Sequence, residues 1–227
     1  QHGGFQNTAH TVALGGRGPH RRLHGFLPGR VQQGKALPLF QGRQLDVSLV
    51  DRIEAQILSE TGNVILIGMP GCGKTTAARL ALDCAREQPE APSLRSAPFV
   101  EVDGATLRYD PQGGVNPLIG SVHDPIYQGA VPLGVNGVPQ PKPGAVTRAH
   151  GGVLFLDELP EFATNALQSL RQPLEDHEVR IVRVDGVYVF PCDFQLVAAA
   201  NPCPCGHLGD DAHECTCAPA RVAAYQG

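Results

Sequence analysis

Residues 64–76 read VILIGMPGCGKTT, and this stretch decides the fold. Residues 64–67 form a short, wholly apolar run, as expected of a strand that is buried on both faces of a parallel sheet. A glycine-rich turn follows, and the residues after it predict a helix over 74–86. The turn, residues 68–75, matches the pattern G-x-x-x-x-G-K-[ST] at every fixed position. A strand, turn and helix in this order predict a loop that cradles phosphate groups.

The chemistry of phosphate binding explains these residue types. Glycines let backbone N–H groups turn inward and approach phosphate oxygens closely, and the helix N-terminus adds positive potential. We expect Lys74 to bridge the β- and γ-phosphates of ATP and Thr75 to ligate Mg²⁺ through its hydroxyl. The predicted nucleotide-binding residues are Gly68, Pro70, Gly71, Cys72, Gly73, Lys74, Thr75 and Thr76.

A second apolar run, residues 153–156, ends in the carboxylate pair Asp157-Glu158. In an open α/β sheet, ligands bind at the carboxyl ends of the strands. Asp157 is therefore expected to face the Mg²⁺ near Thr75. Glu158 is expected to orient or deprotonate the attacking water. The predicted Mg²⁺ ligands are Thr75 and Asp157.

The remaining pattern alternates strands with helices, which predicts a parallel α/β sheet. Asp185-Gly186 marks the turn of a hairpin, because this dipeptide favours tight turns between alternating strands. Residues 105–149 are rich in Gly and Pro and are predicted to form a long loop or insertion. The other predicted elements are a helix over 48–60, strands over 98–102, 153–156 and 194–199, a helix over 161–176 and the hairpin over 179–190.

Composition limits the possible functions. The chain of 227 residues is 42% hydrophobic and 18% charged, which suits one globular core. The net charge of −4 argues against a protein that coats nucleic acid over its whole surface, and the lack of Trp argues against base-stacking platforms. No apolar run is long enough to cross a membrane and no signal peptide is evident, so a cytoplasmic location is the default.

Residues 1–45 differ in composition from residues 46–227. They contain six Lys and Arg residues and no acid, and they show no hydrophobic periodicity. We interpret them as a flexible basic arm or the remnant of a further domain, with a nucleic-acid-contacting arm as the alternative. Residues 46–227 are predicted to form the ATP-binding core.

Four of the seven cysteines stand in two close pairs, Cys203-Pro-Cys205 and Cys215-Thr-Cys217. In a reducing compartment such thiols are better interpreted as metal ligands or free thiols than as disulfides. Two interpretations stay open: the four thiols bind one structural Zn²⁺, or they are free or redox-active. His207 and His213 lie within the same stretch and offer a replacement for one thiol. Cys84 and Cys192 lie in apolar surroundings and are predicted to be core residues.

Together the phosphate loop and the acidic pair resemble AAA+ ATPases in order and spacing. In those proteins a polar residue at the end of a further strand senses the γ-phosphate, and Asn201, after residues 194–200, matches that place; an Asn-Pro turn is the alternative. Residues 141–225 look like the magnesium-chelatase-related AAA+ proteins of the ComM/YifB group. The segments that carry this likeness are PKPGAVTRAHGGVLFLDELPEF, LQSLRQPLEDHEV, FQLVAAANPCPCGHLGD and the later CTC.

The resemblance implies a hexameric ATPase coupled to DNA, as a branch-migration helicase or translocase. The hairpin would face the central pore of the ring, with Arg180 and Arg183 as candidate DNA contacts. The lid domain and arginine finger of this family would follow Gly227, so the chain alone is expected to bind ATP and hydrolyse it slowly. The implied fold is an AAA+ parallel sheet flanked by helices, with a β-hairpin insertion and a Cys-rich C-terminal loop.

Two segments resemble other families. Residues 99–158, with FVEVDGATLRYDP and NPLIGSVHDPIYQG, look like the ATPase module of LonB-type proteases. Residues 63–76 look like the start of a shikimate kinase. The alternative functions are therefore an ATPase module for proteolysis or metal chelation, and a small-molecule kinase. A kinase of that type would not need the acidic pair and the sensor strand.

Overall fold

The computed structural model describes residues 10–14, 39–40, 43–44, 47–59, 62–108, 114–123, 140–183, 186–210 and 212–226. The strands are β1 His10–Leu14, β2 Leu39–Phe40, β3 Arg43–Gln44, β4 Val64–Gly68, β5 Phe99–Asp103, β6 Gly120–His123, β7 Gln140–Pro143, β8 Gly152–Asp157, β9 Glu178–Arg183, β10 Gly186–Pro191 and β11 Phe194–Ala200. The helices are α1 Val47–Ser59, α2 Lys74–Arg86, α3 Gly104–Leu107, α4 Val115–Ile119, α5 Ala145–Arg148, α6 Thr164–Ser169, α7 Arg171–Asp176 and α8 Pro219–Gln226. Two 3₁₀ turns cover Pro92–Ser96 and Leu159–Glu161.

Five parallel strands form the central sheet, in the order β1-β4-β11-β8-β5. The middle strands β4, β8 and β11 consist largely of Val, Leu, Ile and Ala, and this composition suits strands that are covered on both faces. The α/β prediction from the sequence is confirmed. Because these strands run in the same direction, the residues that follow them meet at one edge of the sheet.

Helices α1 and α2 cover one face of the sheet. Helix α1 contributes a stripe of buried aliphatic side chains, while α2 contributes mainly alanines, whose small size lets its backbone approach the strands closely. Phe155 of β8 is fully buried in this layer and stacks on Phe99 of β5 at 5.6 Å between ring centroids. Large side chains buried in this layer include Val50, Ile53, Val64, Leu66, Leu82 and Phe155.

The opposite face is covered by the short helices and by the hairpin of β9 and β10. Val179 and Ile181 of β9 are buried against it, whereas Val182, Val187 and Val189 point outward and are exposed. Cys192 is fully buried here, and burial raises the pKa of its thiol to about 11. Cys84 packs against the first layer, so both isolated cysteines are core residues as predicted.

Two predicted elements differ from the structure. Residues 105–149 are not one long loop, because α4, α5 and the antiparallel pair β6–β7 lie within them. The helix predicted over 161–176 is two helices, α6 and α7, with a break at Leu170 and a 3₁₀ turn before them. The hairpin is confirmed, and its register pairs Arg183 with Gly186; the residues between them lie outside the described residues.

The sequence predicts a flexible basic arm or the remnant of a further domain for residues 1–45, and five of these residues form a strand of the central sheet. His10–Leu14 pairs in parallel with β4 along its whole length, from His10 opposite Val64 to Leu14 opposite Gly68. The two-residue strands β2 and β3 pair with each other. The rest of the arm lies outside the described residues, and the domain boundary near residue 45 stays a prediction.

Candidate functional site

A glycine-rich turn joins β4 to α2 at the carboxyl edge of the sheet. Gly71 and Gly73 have φ of 71° and 90°, a left-handed backbone that residues with a Cβ avoid. Gly73 precedes the helix without a side-chain cap, and its carbonyl accepts the N–H of Ala77 at 2.8 Å. The first N–H groups of α2 therefore keep donor capacity directed toward the turn. The left-handed turn can form here because a glycine stands directly before the helix-forming residues.

The turn borders a cavity of about 220 Å³. Predicted site residues at or just after the carboxyl ends of β4, β8 and β11 line this cavity. Six of the eight predicted nucleotide-binding residues belong to this lining, whereas Gly68 and Cys72 do not. The cavity is lined by Pro70, Gly71, Gly73, Lys74, Thr75, Thr76, Asp157, Glu158, Ala200 and Asn201.

Lys74 is a buried ammonium group, only 8% exposed. Its Nζ donates to the carbonyl oxygens of Gly68 at 2.8 Å and Met69 at 3.0 Å, and to Asn201 Oδ1 at 3.2 Å. Three acceptors thus satisfy all three ammonium protons, as burial of a charge requires. The amide of Asn201, at the end of β11, is held to the phosphate loop by this contact.

Thr75 and Asp157 approach each other across the sheet edge. Thr75 Oγ1 donates to Asp157 Oδ2 at 3.3 Å, while Asp157 Oδ1 accepts the N–H of Glu158 at 2.9 Å. Two oxygen ligands of an octahedral Mg²⁺, each about 2.1 Å from the ion, stand about 3 Å apart when adjacent. The hydroxyl and the carboxylate therefore fit the ligand pair that the sequence predicts.

Glu158 follows β8 in a left-handed conformation, with φ 53°. Partial burial raises the pKa of its carboxyl group, and repulsion from Asp103, Asp157 and Glu161 raises it further, while the Lys74 ammonium opposes the shift. A carboxyl group with a raised pKa is suited to accept a proton near neutral pH. The structure places Glu158 in the cavity wall, beside the predicted Mg²⁺ ligands.

Sequence reasoning missed two residues of this site. Asp103 ends β5 and pairs in register with Asp157, so that FVEVD and VLFLD end in carboxylates side by side. The shared ending of the two strands in Asp is a sequence signal that could have identified Asp103.

Tyr225 of α8 lies near Glu158 and Asn201. Burial is the main cause that raises the pKa of Tyr225, and the carboxylates of Glu161 and Glu158 add to the shift. Helix α8 is also tied to the loop after β11 by Gln226 Nε2, which donates to the Pro202 carbonyl at 2.8 Å.

The four clustered cysteines converge directly after Asn201. Sulfur–sulfur distances are 3.4 Å for Cys203–Cys205 and 3.6 Å for both Cys203–Cys215 and Cys205–Cys215. With Cys217, all four sulfurs lie within 4.8 Å of one another. Tetrahedral Zn²⁺ with Zn–S bonds of about 2.3 Å requires sulfurs about 3.8 Å apart. The backbone N–H of His207 donates to the Cys205 sulfur and lowers the pKa of that thiol to about 5, whereas burial and the neighbouring thiols raise the pKa of Cys215 and Cys217.

The two histidines of this loop do not replace a thiol. The four sulfurs gather without them, and both rings turn toward Asp210 instead. The N–H of Ala212 donates to Asp210, and this bond and those from the histidines lower the pKa of Asp210 to about 2. His207, Asp210 and His213 therefore form a separate cluster beside the thiols.

The family model for magnesium chelatase, subunit ChlI, matches residues 52–227. The chain belongs to this family. Among curated relatives, Lon protease 2 of Bacillus subtilis (strain 168) is 44% identical over 160 residues, covering 63% of the chain and 28% of that protein. Competence protein ComM of Haemophilus influenzae is 38% identical over 145 residues, 64% of the chain and 28% of that protein. The uncharacterized protein YifB of Escherichia coli (strain K12) is 36% identical over 154 residues, 68% of the chain and 29% of that protein.

These matches confirm the predicted resemblance of this ChlI-family chain to the ComM/YifB group and to Lon-type proteins, and with the strand order they confirm the AAA+ fold. The chain spans less than a third of the length of each of these three relatives. No helix in the described part of the ChlI-family chain is long and apolar enough to cross a membrane.

The hairpin of this ChlI-family member carries the two arginines predicted to contact DNA. The guanidinium of Arg180 is exposed and forms an ion pair with Glu178, with Nε 2.6 Å from the carboxylate. This pairing neutralises part of the positive charge that a phosphate contact would use. Arg183 ends β9, and its side chain lies outside the described residues.

Proposed function

We infer that this chain binds ATP with Mg²⁺ and hydrolyses it. The observation that carries the proposal is the convergence of Lys74, the Thr75–Asp157 pair, Glu158 and Asn201 on one cavity. Backbone amides of the loop and the Lys74 ammonium would bind the phosphates, and Thr75 and Asp157 would hold the metal. The metal, when bound, supplies positive charge that neutralises the phosphate oxygens during phosphoryl transfer.

The remaining chemistry belongs to Glu158 and Asn201. Glu158 would orient the attacking water and accept its proton, for which its raised pKa is suitable. The Asn201 amide would hydrogen-bond the terminal phosphate. Asn201 Oδ1 already accepts a hydrogen bond from Lys74 Nζ at 3.2 Å, so the phosphate and Asn201 would compete for the Lys74 ammonium. Membership of an AAA+ family and the complete set of polar groups support this assignment over a small-molecule kinase, which needs neither the acidic pair nor Asn201.

Calorimetry with a non-hydrolysable ATP analogue tests the proposal. The chain should bind the analogue with MgCl₂, and Lys74→Ala should lose at least about tenfold in affinity, because the variant gives up a charge-assisted contact to phosphate. Lys142→Ala is the matched control, since Lys142 is exposed and outside the cavity lining. Equal affinity of Lys74→Ala and the parent chain would overturn the assignment.

The work to which ATP hydrolysis is coupled is a finer proposal. The ComM likeness supports DNA remodelling, by branch migration or translocation, in a hexameric ring whose pore the β9–β10 hairpin would face. Stimulation of the ATPase by single-stranded or branched DNA, lost at high salt, is the expected result. Light scattering with and without the ATP analogue would show whether a ring forms.

The likeness to Lon protease 2, the highest identity among the three relatives, supports a second candidate. In that case the chain is an ATPase module for proteolysis, or for a magnesium-chelatase-type complex. Such a module gains no ATPase activity from DNA and gains it from an unfolded protein substrate or a partner subunit. The two stimulation assays, run side by side, separate these candidates.

The four-thiol cluster is proposed to hold one structural Zn²⁺ through Cys203, Cys205, Cys215 and Cys217. The convergence of the four sulfurs and the distances between them support this set. An ion with four thiolate ligands has no open position, so its role is to fix the loop after Asn201. None of the seven cysteines forms a disulfide, which supports a reducing, cytoplasmic location.

A further inference from the structure

The loop between Cys205 and Cys215 has a symmetric arrangement of metal-ligating residue types. Asp210 stands at its centre, with His207 and His213 three residues away on either side and the two cysteines five residues away. The cysteines converge with Cys203 and Cys217, and the histidines converge on Asp210. The loop therefore contains two nested groups of ligands, an outer group of thiols and an inner group of imidazoles with a carboxylate.

Within the inner group the two oxygens of Asp210 have different partners. Oδ1 accepts the backbone N–H of Ala212 at 3.0 Å, which fixes the carboxylate. Oδ2 faces both rings, 3.3 Å from His207 Nδ1 and 2.9 Å from His213 Nδ1. The ring centroids are 4.9 Å apart, and all three ligand atoms lie within 4.8 Å of one another.

This spacing matches a metal site. Ligand atoms about 2.0–2.1 Å from a tetrahedral ion stand about 3.3 Å apart. The distances from Asp210 Oδ2 to the two ring nitrogens, 3.3 Å and 2.9 Å, are near that value. The Asp210 side chain is only 12% exposed, whereas His213 is 68% exposed, so the group is anchored on one side and open to solvent on the other. An anchored carboxylate and two imidazoles with an open side leave coordination positions for water.

We propose that His207, Asp210 and His213 form a second divalent cation site, distinct from the four-thiol site and from the Mg²⁺ position beside Thr75. Two imidazole nitrogens and one carboxylate oxygen favour Zn²⁺, Co²⁺ or Ni²⁺ over Mg²⁺, which prefers oxygen ligands. We call this second site, formed by the inner group of ligands, the inner site. The proposed zinc site affects only the affinity of the inner site for its cation. An ion held by the thiols brings Cys205 and Cys215 together and lowers the entropic cost of gathering the inner ligands.

Metal counting on the full, tag-free chain tests the proposal. After removal of metal under reducing conditions, the chain is dialysed against Co²⁺, its metal content is measured by mass spectrometry and its absorption spectrum is recorded. We expect two ions per chain, one of them with the intense thiolate-to-cobalt bands. His207→Ala/His213→Ala should bind one ion and keep those bands. Asp210→Asn should do the same, because an asparagine oxygen still accepts the Ala212 N–H while its amide is a poor metal ligand.

His177→Ala is the matched control, since His177 is exposed and lies outside the loop. It should keep both ions. One ion in the parent chain with full thiolate bands overturns the inner site and leaves the zinc proposal standing. One ion without thiolate bands overturns the thiol site and supports the inner one. Two ions in both the parent and the double histidine variant overturn the assignment to these side chains.

Discussion

Gly206 of the cysteine loop lies against Pro70 of the phosphate loop, so closely that a Cβ atom built on Gly206 would be 2.7 Å from Cδ and Cγ of the proline. Two residues before the first cysteine, Asn201 contacts Lys74. The cysteine loop thus touches the nucleotide cavity at two places, once through packing and once through a hydrogen bond. A change in the conformation of the thiol cluster can therefore shift the phosphate loop through these two contacts.

Gly206→Ala should weaken nucleotide binding by roughly tenfold, because relieving an overlap in a packed contact costs about 1–3 kcal/mol and the phosphate loop would carry part of that cost. Gly209→Ala is a close control, since Gly209 has nearly the same φ, 81° against 83°, and a Cβ there meets no atom within 4 Å. Fluorescent nucleotide titrations give both affinities. If the two variants bind equally well, the contact with Pro70 has no role in the site.

Zinc and nucleotide should each raise the affinity for the other. Coupling between sites is reciprocal, and typical couplings of about 1–3 kcal/mol correspond to roughly 5–150-fold. We expect the Mg²⁺-bound ATP analogue to slow the transfer of zinc from the chain to a coloured chelator. In Lys74→Ala the same concentration of analogue should slow zinc release less, because the variant binds nucleotide at least about tenfold more weakly. Unaltered release in the parent chain at saturating nucleotide would exclude the coupling.

Glu158→Gln should reduce single-turnover ATP hydrolysis by about 10²–10⁴-fold, the usual contribution of a general base, with little change in nucleotide affinity. In the parent chain only the ionised carboxyl accepts a proton, so the rate should fall as the pH drops through the raised pKa of Glu158. Asp103→Asn removes the largest repulsive charge and should move this fall to lower pH. Its amide oxygen can still accept the N–H of Ala105.

The exposed carboxylate Glu175 gives the control for that pH profile, because it lies on α7 outside the cavity lining. Glu175→Gln should leave both the rate and its pH dependence unchanged. A profile of Asp103→Asn that coincides with that of the parent chain would mean that another group controls the acidic limb.

Phe155→Ala should destabilise the chain by about 3–5 kcal/mol, as expected when a fully buried aromatic side chain is removed. Phe155 is 0% exposed and stacks on Phe99, so its loss leaves a cavity beneath β5 and β8. Val187→Ala, on the exposed face of the hairpin, should change stability by no more than about 0.5 kcal/mol. Urea unfolding followed by circular dichroism measures both; a similar midpoint for the two variants would contradict this account.

The central sheet and much of the cavity were predictable because their signals are local. Residues 64–76 contain a strand, a turn and the start of a helix in one continuous motif. Two further apolar strands end next to Asp157 and Asn201 and so mark the positions of these polar residues. Parallel strands then bring those ends together without further information. The grouping of Lys74, Thr75, Asp157, Glu158 and Asn201 follows from this rule, and their catalytic roles remain predictions.

The missed features depend on contacts between distant segments. Asp103 raises the pKa of Glu158 because β5 pairs with β8; the shared Asp ending marks both strands, but the sequence of either strand does not show that they are neighbours. Gly206 has no side chain to signal its contact with Pro70. The break at Leu170 and the short elements within 105–149 are stabilised by packing on the second face of the sheet, which overrides local propensity.

Strand β1 has a consequence for anyone who excises the nucleotide-binding region. It pairs along the whole of β4, the strand that leads into the phosphate loop. A piece that starts at residue 46 would turn β4 into an unprotected edge, with a row of free N–H and C=O groups open to self-association. Such a piece is expected to aggregate through the strand closest to its ligand, and a longer piece that keeps residues 10–14 should stay dispersed.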